Sequence, residues 1–286
     1  MLINYIKDIK SFIKEYKLVL CDLWGVVHNG EEVFLDSLHF LQYLRDNRIK
    51  VILFSNAPRP NKVVRSFLIN KINLPEDLFH SVVSSGDVSI EMINKLYHGK
   101  NYFHMGPPKD YDLLEGIEIQ NVDILNNAEF VLCTGLDDDE LETPANYKDI
   151  LIKMIKLNLP MVCVNPDIIA FRGDKKIFCA GSIAELYSKM GGTVKYYGKP
   201  YQEMYTHALE KAFAEGLVEN KSQIIAIGDS LGTDIKGANN FGINSIFVET
   251  GIHKDEIINE IDNANFFNSY FDKKPSQMNI IKTLKI

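Results

Sequence analysis

Cysteine is scarce in this 286-residue sequence, and the four present, Cys21, Cys133, Cys163 and Cys179, form no CxxC pair. That excludes a disulfide framework and the common zinc spacings; the first three sit in apolar runs such as FVLCTG and PMVCVN and read as buried, reduced thiols. Positive charge is also short, with 31 Lys and Arg against 38 Asp and Glu and a formal charge of -7. No stretch is basic enough to track phosphates, so nucleic acid and anionic membrane are not expected as partners, and a small ligand is. No apolar run approaches the length of a membrane span. The opening MLINYIKDIKSFIKEYK sets Ile3, Ile6, Ile9, Ile13 and Tyr16 at helical spacing among lysines, which predicts a surface helix, not a signal peptide, and a cytoplasmic protein. Internal repeats and low-complexity tracts are missing. The acidic LDDDELE at 136–142 lacks EF-hand spacing and its glycine, so it reads as a solvated loop.

What is present fits an ordinary globular protein: 46% hydrophobic and 24% charged residues,. At about 150 residues per domain the length suggests two units. Short β-rich runs occur at KLVLCD, KVILFSN (50–56), SVVSS (81–85), QIIAIGD (223–229) and NSIFVE (244–249). Helical patterns lie between several of them, one on Phe34, Leu38, Leu41 and Leu44, another on Met204, Ala208, Leu209 and Phe213. Alternation of this kind predicts βαβ units and an α/β fold with an open parallel sheet. The middle, 86–193, carries its own strand candidates, NYFHM, EFVLCTG and LPMVCVN. It is read as an α/β domain inserted into a core made of 1–85 and 194–286.

Three core strands end in polar residues, where ligands bind in such sheets. Asp22 ends the first, and Gly25 behind it lets backbone pass close to a bound anion, while Gly30 relieves the next turn. Ser55 and Asn56 end the second; they either cap a helix starting near Arg59 or hydrogen-bond a phosphate oxygen. YYGKP supplies Lys199, which is not a Walker lysine because Pro200 stands where Ser or Thr must ligate Mg²⁺. It is either an exposed turn lysine or a cation that holds Asp22 and phosphate. Asp229 ends another strand and Asp234 follows five residues later, a pairing that suits Mg²⁺ with its preference for oxygen ligands and retained waters.

Asp, then Ser-Asn, then Lys, then paired Asp, in that order at strand ends, resembles the haloacid dehalogenase superfamily. The insertion before YYGKP, with NPD at 165–167 and GSIAELYSKMGG, resembles its class IIA branch of NagD-type and para-nitrophenylphosphatase-like enzymes. The resemblance implies a Rossmann-like core with a type IIA cap, and a Mg²⁺-dependent phosphatase or phosphotransferase acting on a small phosphorylated metabolite. It implies Asp22 as the nucleophile that becomes an aspartyl phosphate, Ser55 and Lys199 on the phosphate, and Asp229 and Asp234 at the metal. By analogy with the class, a cap-to-cap homodimer would fit.

Trp24 departs from the pattern. The resemblance puts an acid there that protonates the leaving oxygen and activates water, with its main-chain carbonyl on Mg²⁺; here only the carbonyl survives. Trp24 reads as packing against the cap, as a platform for a flat substrate in a pocket with Asn165 and Asp167, or as a sign that an acid such as Asp167 takes over proton transfer. A binding or regulatory protein with weakened chemistry is the competing expectation. A receiver domain, which also uses a strand-end Asp with Mg²⁺, is disfavoured by the insertion and the length.

Overall fold

The computed structural model describes residues 1–95, 98–253 and 264–286. Its strands are, in the first part, β1 (Leu2–Tyr5), β2 (Leu18–Cys21), β3 (Lys50–Ser55) and β4 (Ser81–Ser84). The middle adds β5 (Asn101–Met105), β6 (Gln120–Asn121), β7 (Phe130–Cys133), β8 (Met161–Cys163), β9 (Ile169–Arg172), β10 (Lys175–Phe178) and β11 (Val194–Tyr196). The last part brings β12 (Ile224–Gly228), β13 (Asn244–Val248) and β14 (Gln277–Ile281). The helices that matter below are α1 (Ile9–Ile13), α2 (Leu35–Asp46), α3 (Asn61–Asn70) and α4 (Ser85–Asn94).

Seven strands form the core sheet in the order β1-β14-β13-β12-β2-β3-β4, every pair parallel. From β2 the chain winds one way through β3 and β4, and from β12 the other way through β13 and β14. The order therefore reverses between β2 and β12, and the crevice beyond their carboxyl ends is where a doubly wound sheet binds its ligand. Strand β2 is apolar throughout because both its faces are covered,. Val19 and Cys21 join the cluster with Phe40, Leu41 and Leu44 of α2, while Leu18 and Leu20 face the opposite side.

The second sheet runs β11-β8-β7-β5-β6, again all parallel, with β9 and β10 as a separate antiparallel hairpin. β11 pairs with β8 and so belongs to this sheet, although the sequence had assigned everything after 193 to the core. The apolar cluster on the Leu18 and Leu20 side does not stop at the core. It continues through Tyr102, Phe130, Leu132 and Val162 of the inserted sheet.

The N-terminal expectation needs correction. Leu2–Tyr5 is an edge strand paired in parallel with β14, and the helix begins only at Ile9, where the Asp8 carboxylate accepts from Lys10 N and Ser11 N at 3.0 and 3.3 Å. The partner strand lies more than 270 residues away in sequence, so local periodicity could not reveal it. No helix among the described residues is long and apolar enough to cross a membrane.

Candidate active site

Backbone hydrogen bonds carry the acids to the crevice. Asp22 N donates to Ile227 O at 2.8 Å, which extends the β2–β12 ladder by one residue and brings the carboxylate out at the sheet's carboxyl edge. Asp229 follows directly on β12, and Asp234 sits in a short turn of π-helix, Leu231–Ile235, where its carboxylate accepts from Ser230 N at 3.2 Å. Lys199, in the loop after β11, is buried; its ammonium donates to Asp22 Oδ1 and Asp234 Oδ1, both at 2.6 Å. The exposed-turn reading of this lysine is therefore wrong. Asp229 turns toward the same point, held by Ile252 N at 2.7 Å.

Carboxylate oxygens of Asp22, Asp229 and Asp234 lie within 4.8 Å of one another. Three buried acids against one ammonium leave an excess of negative charge. Burial, together with the neighbouring carboxylates, lifts Asp229 well above the usual range and Asp234 to about 7. Burial raises Asp22 as well, against the pull of Lys199. Burial alone would lower Lys199, but the surrounding carboxylates outweigh it and hold the ammonium charged,.

Gly25 has φ +83°, and a methyl group built on it would lie 2.0 Å from Asp229 Oδ2. The expected close approach of backbone is thus to this carboxylate. Gly251, just past β13, approaches it equally closely, with a hypothetical methyl at 1.9 Å. Neither Gly251 nor Ile252 was singled out from sequence; a glycine three residues beyond a parallel strand was the available signal.

Ser55 ends β3 and its hydroxyl accepts from Ala57 N at 3.2 Å. It does not cap α3, whose first residue is Asn61. The Asn56 side chain is engaged within the protein: its carbonyl accepts from Lys199 N at 2.6 Å, and its amide donates to Lys199 O at 3.1 Å and to Asp167 Oδ1 at 2.9 Å. With these bonds made, Asn56 ties the lysine loop of the core to the cap. Asn165 accepts from Asp167 N at 3.0 Å and shapes the NPD turn.

Trp24 crosses the same boundary. Its indole N–H donates to the carbonyl of Phe171 on β9. The ring meets the buried His28 edge-on at 5.2 Å between centroids. Burial lowers His28 to about 4, so its ring is neutral and Nδ1 accepts from Gly30 N at 2.9 Å. One residue beyond β9, Gly173 N donates to Asn29 O at 3.0 Å. The β9–β10 hairpin is thus bonded at two points to the loop that follows Asp22.

Core and cap together line a cavity of about 540 Å³, with Asp22, Ser55, Lys199 and Trp24 among its walls. Its cap wall includes Asp139, gripped by Arg172 at 2.9 Å and Lys109 at 2.5 Å, so part of the acidic LDDDELE loop is ion-paired. Buried Asp110 also lines it and is pushed up to about 6 by desolvation, against Lys109 and a hydrogen bond from Thr134.

A HAD-hydrolase-like family model matches residues 196–270, and a haloacid dehalogenase-like hydrolase model matches 19–120. A haloacid dehalogenase-like hydrolase from Brucella suis has the same fold, with a TM-score of 0.82 and 36% identity over 87% of this chain and 94% of that one. An acid sugar phosphatase from Staphylococcus epidermidis is 24% identical over 84% of this chain and 89% of its own length. A dihydroxyacetone phosphatase from Corynebacterium glutamicum is 26% identical, with 82% of each chain covered. This chain shares its fold with a "putative nagD protein" and with a 4-nitrophenylphosphatase from Thermotoga maritima, at 25% and 24% identity with TM-scores of 0.64 and 0.67. With its strand-end acids, its buried lysine and its inserted parallel sheet, the chain belongs to the haloacid dehalogenase-like hydrolases.

Proposed function

We propose that the protein hydrolyses a small phosphate monoester by way of an aspartyl phosphate on Asp22. The observation that carries this reading is the buried Lys199 ammonium bridging Asp22 and Asp234 at the point where the core sheet reverses order. The Asp22 carboxylate attacks phosphorus and the bond to the leaving oxygen breaks; water then attacks the acyl phosphate and returns the carboxylate with release of phosphate. Lys199 orients Asp22 and offsets charge on the phosphoryl oxygens, and the Ser55 hydroxyl donates to one of them. Residues 86–193 act as the cap that closes the cavity and excludes water, on a core of 1–85 and 194–286, with β11 lent to the cap sheet from beyond that boundary.

Mg²⁺ fits the donor set. Three buried carboxylates whose oxygens lie within 4.8 Å of one another, in excess of their one lysine, are the hard oxygen donors this ion takes,. Asp22, Asp229, Asp234 and the Trp24 carbonyl would hold it. When bound, it would neutralise charge between carboxylate and phosphoryl group. The relatives named as a sugar phosphatase and a dihydroxyacetone phosphatase support a phosphorylated sugar or short polyol as substrate.

Phosphate release is measured from acetyl phosphate, para-nitrophenyl phosphate and a set of sugar phosphates, with Mg²⁺ or with EDTA, for wild type and Asp22→Asn. Release that needs Mg²⁺ and is lost in Asp22→Asn is expected. No release from any of them, acetyl phosphate included, would instead favour a binding protein.

A further inference from the structure

Where the family pattern places an acid two residues past the nucleophile, this chain has Trp24, and its indole N–H is committed to the cap. An alkoxide leaving group then needs its proton from another residue. The cap puts four acids on the cavity wall: Asp110, Asp139, Asp167 and Asp174. Asp139 is locked as a carboxylate by Arg172 and Lys109. Asp174 is exposed at the hairpin turn. Asp110 is bonded to Thr134, within the cap, and shares no hydrogen bond with the core site.

Asp167 differs in its connections. Oδ1 accepts from Asn56 at 2.9 Å, Asn56 in turn holds Lys199 N at 2.6 Å, and the Lys199 ammonium holds Asp22 at 2.6 Å. A short chain of hydrogen bonds thus fixes a cap carboxyl relative to Asp22, and both groups line the same cavity. Its second oxygen has no protein hydrogen bond among those described.

We propose that Asp167 is the general acid and base of the reaction, taking the place that Trp24 vacates. As the bond between phosphorus and the leaving oxygen breaks, the protonated Asp167 carboxyl gives its proton to that oxygen and becomes a carboxylate. In the second half it takes a proton from the water that attacks the aspartyl phosphate, so that Asp22 is released as a carboxylate and Asp167 is protonated again. Each cycle thereby converts ester and water to alcohol and phosphate, with both acids restored.

The surroundings suit a group that must hold a proton and also lose it. Burial and the Asp234 carboxylate raise Asp167 to about 6, against Lys199 and the Asn56 amide. Asp22 also lies within electrostatic reach, and the nearby Cys163 and Cys179 thiols are raised by burial and stay uncharged.

The inference rests on the phosphatase reading, and the test separates the two. Asp167→Asn keeps the oxygen that accepts from Asn56 and removes only the proton. For it, kcat/KM with a sugar or glycerol phosphate is expected to fall by about 10² to 10⁴, the usual worth of acid-base catalysis, and with acetyl phosphate by less than about tenfold. The decline of wild-type kcat/KM above about pH 6 with the alkyl substrate should vanish in the variant, and Asp167→Glu should restore part of the lost rate. Asp110→Asn serves as control and should leave the leaving-group trend unchanged. An even loss across leaving groups, no loss at all, or a steepened trend in Asp110→Asn would overturn the assignment while leaving the phosphatase reading intact. Wild type that releases phosphate from nothing would overturn both.

Discussion

Asp110 shows what one residue's environment does. It is 2% exposed, and its carboxyl titrates near 6 when folded, against the ordinary 3.8. Between those values the folded chain binds the extra proton, so stability contributed here falls as pH rises from about 4 to 6 and stays lower above. Asparagine does not titrate. Asp110→Asn should therefore gain on wild type between pH 4.5 and pH 7.5 by about 2 kcal/mol, since roughly 1.4 units of the shift fall inside that window. Urea unfolding at the two pH values measures this; a difference between variant and wild type that is the same at both would refute it. The glycines beside Asp229 express the opposite constraint, since the backbone itself must come within van der Waals distance of a carboxylate and any side chain would displace it.

Among elements, the β9–β10 hairpin has the most defined link to the site. It reaches the loop after Asp22 through Phe171 O and Gly173 N, and both bonds cross from cap to core. Trp24→Phe keeps an aromatic ring against His28 and deletes the indole donor, leaving the Phe171 carbonyl without it. Loss of one such bond is worth about 1 kcal/mol in stability. Because the bond joins a cavity-lining hairpin of the cap to the core, the expected kinetic effect is a rise in KM larger than the fall in kcat, together with a lower Tm. Unchanged KM and Tm would mean that the hairpin stays in place without the indole.

At the scale of the whole molecule, the two sheets share one apolar cluster, from Leu18, Leu20 and Phe54 of the core to Tyr102, Phe130 and Val162 of the cap. A continuous core couples their unfolding, since separating the sheets would expose apolar surface at about 25 cal/mol per Å². One cooperative thermal transition is expected, coincident by far-UV and near-UV circular dichroism and with matching calorimetric and van't Hoff enthalpies. Two resolved transitions would show that cap and core unfold separately.

By itself the sequence determined the α/β class, most of the strands and the acids and lysine of the candidate site. Buried parallel strands read as apolar runs, and the runs at Asp22, Ser55 and Asp229 end in polar residues at the sheet's edge. The same local reading gave the first residues wholly to a helix, because the strand that recruits Leu2–Tyr5 lies at the other end of the chain. It also placed β11 in the wrong sheet and did not foresee that the Asn56 side chain bonds Lys199 and Asp167. Only the tertiary structure decided those points, together with the attachment of Trp24 to the cap and the line from Asp167 through Asn56 and Lys199 to Asp22. Each is a pairing between segments far apart in sequence, and neither periodicity nor residue type records which distant group a side chain will meet.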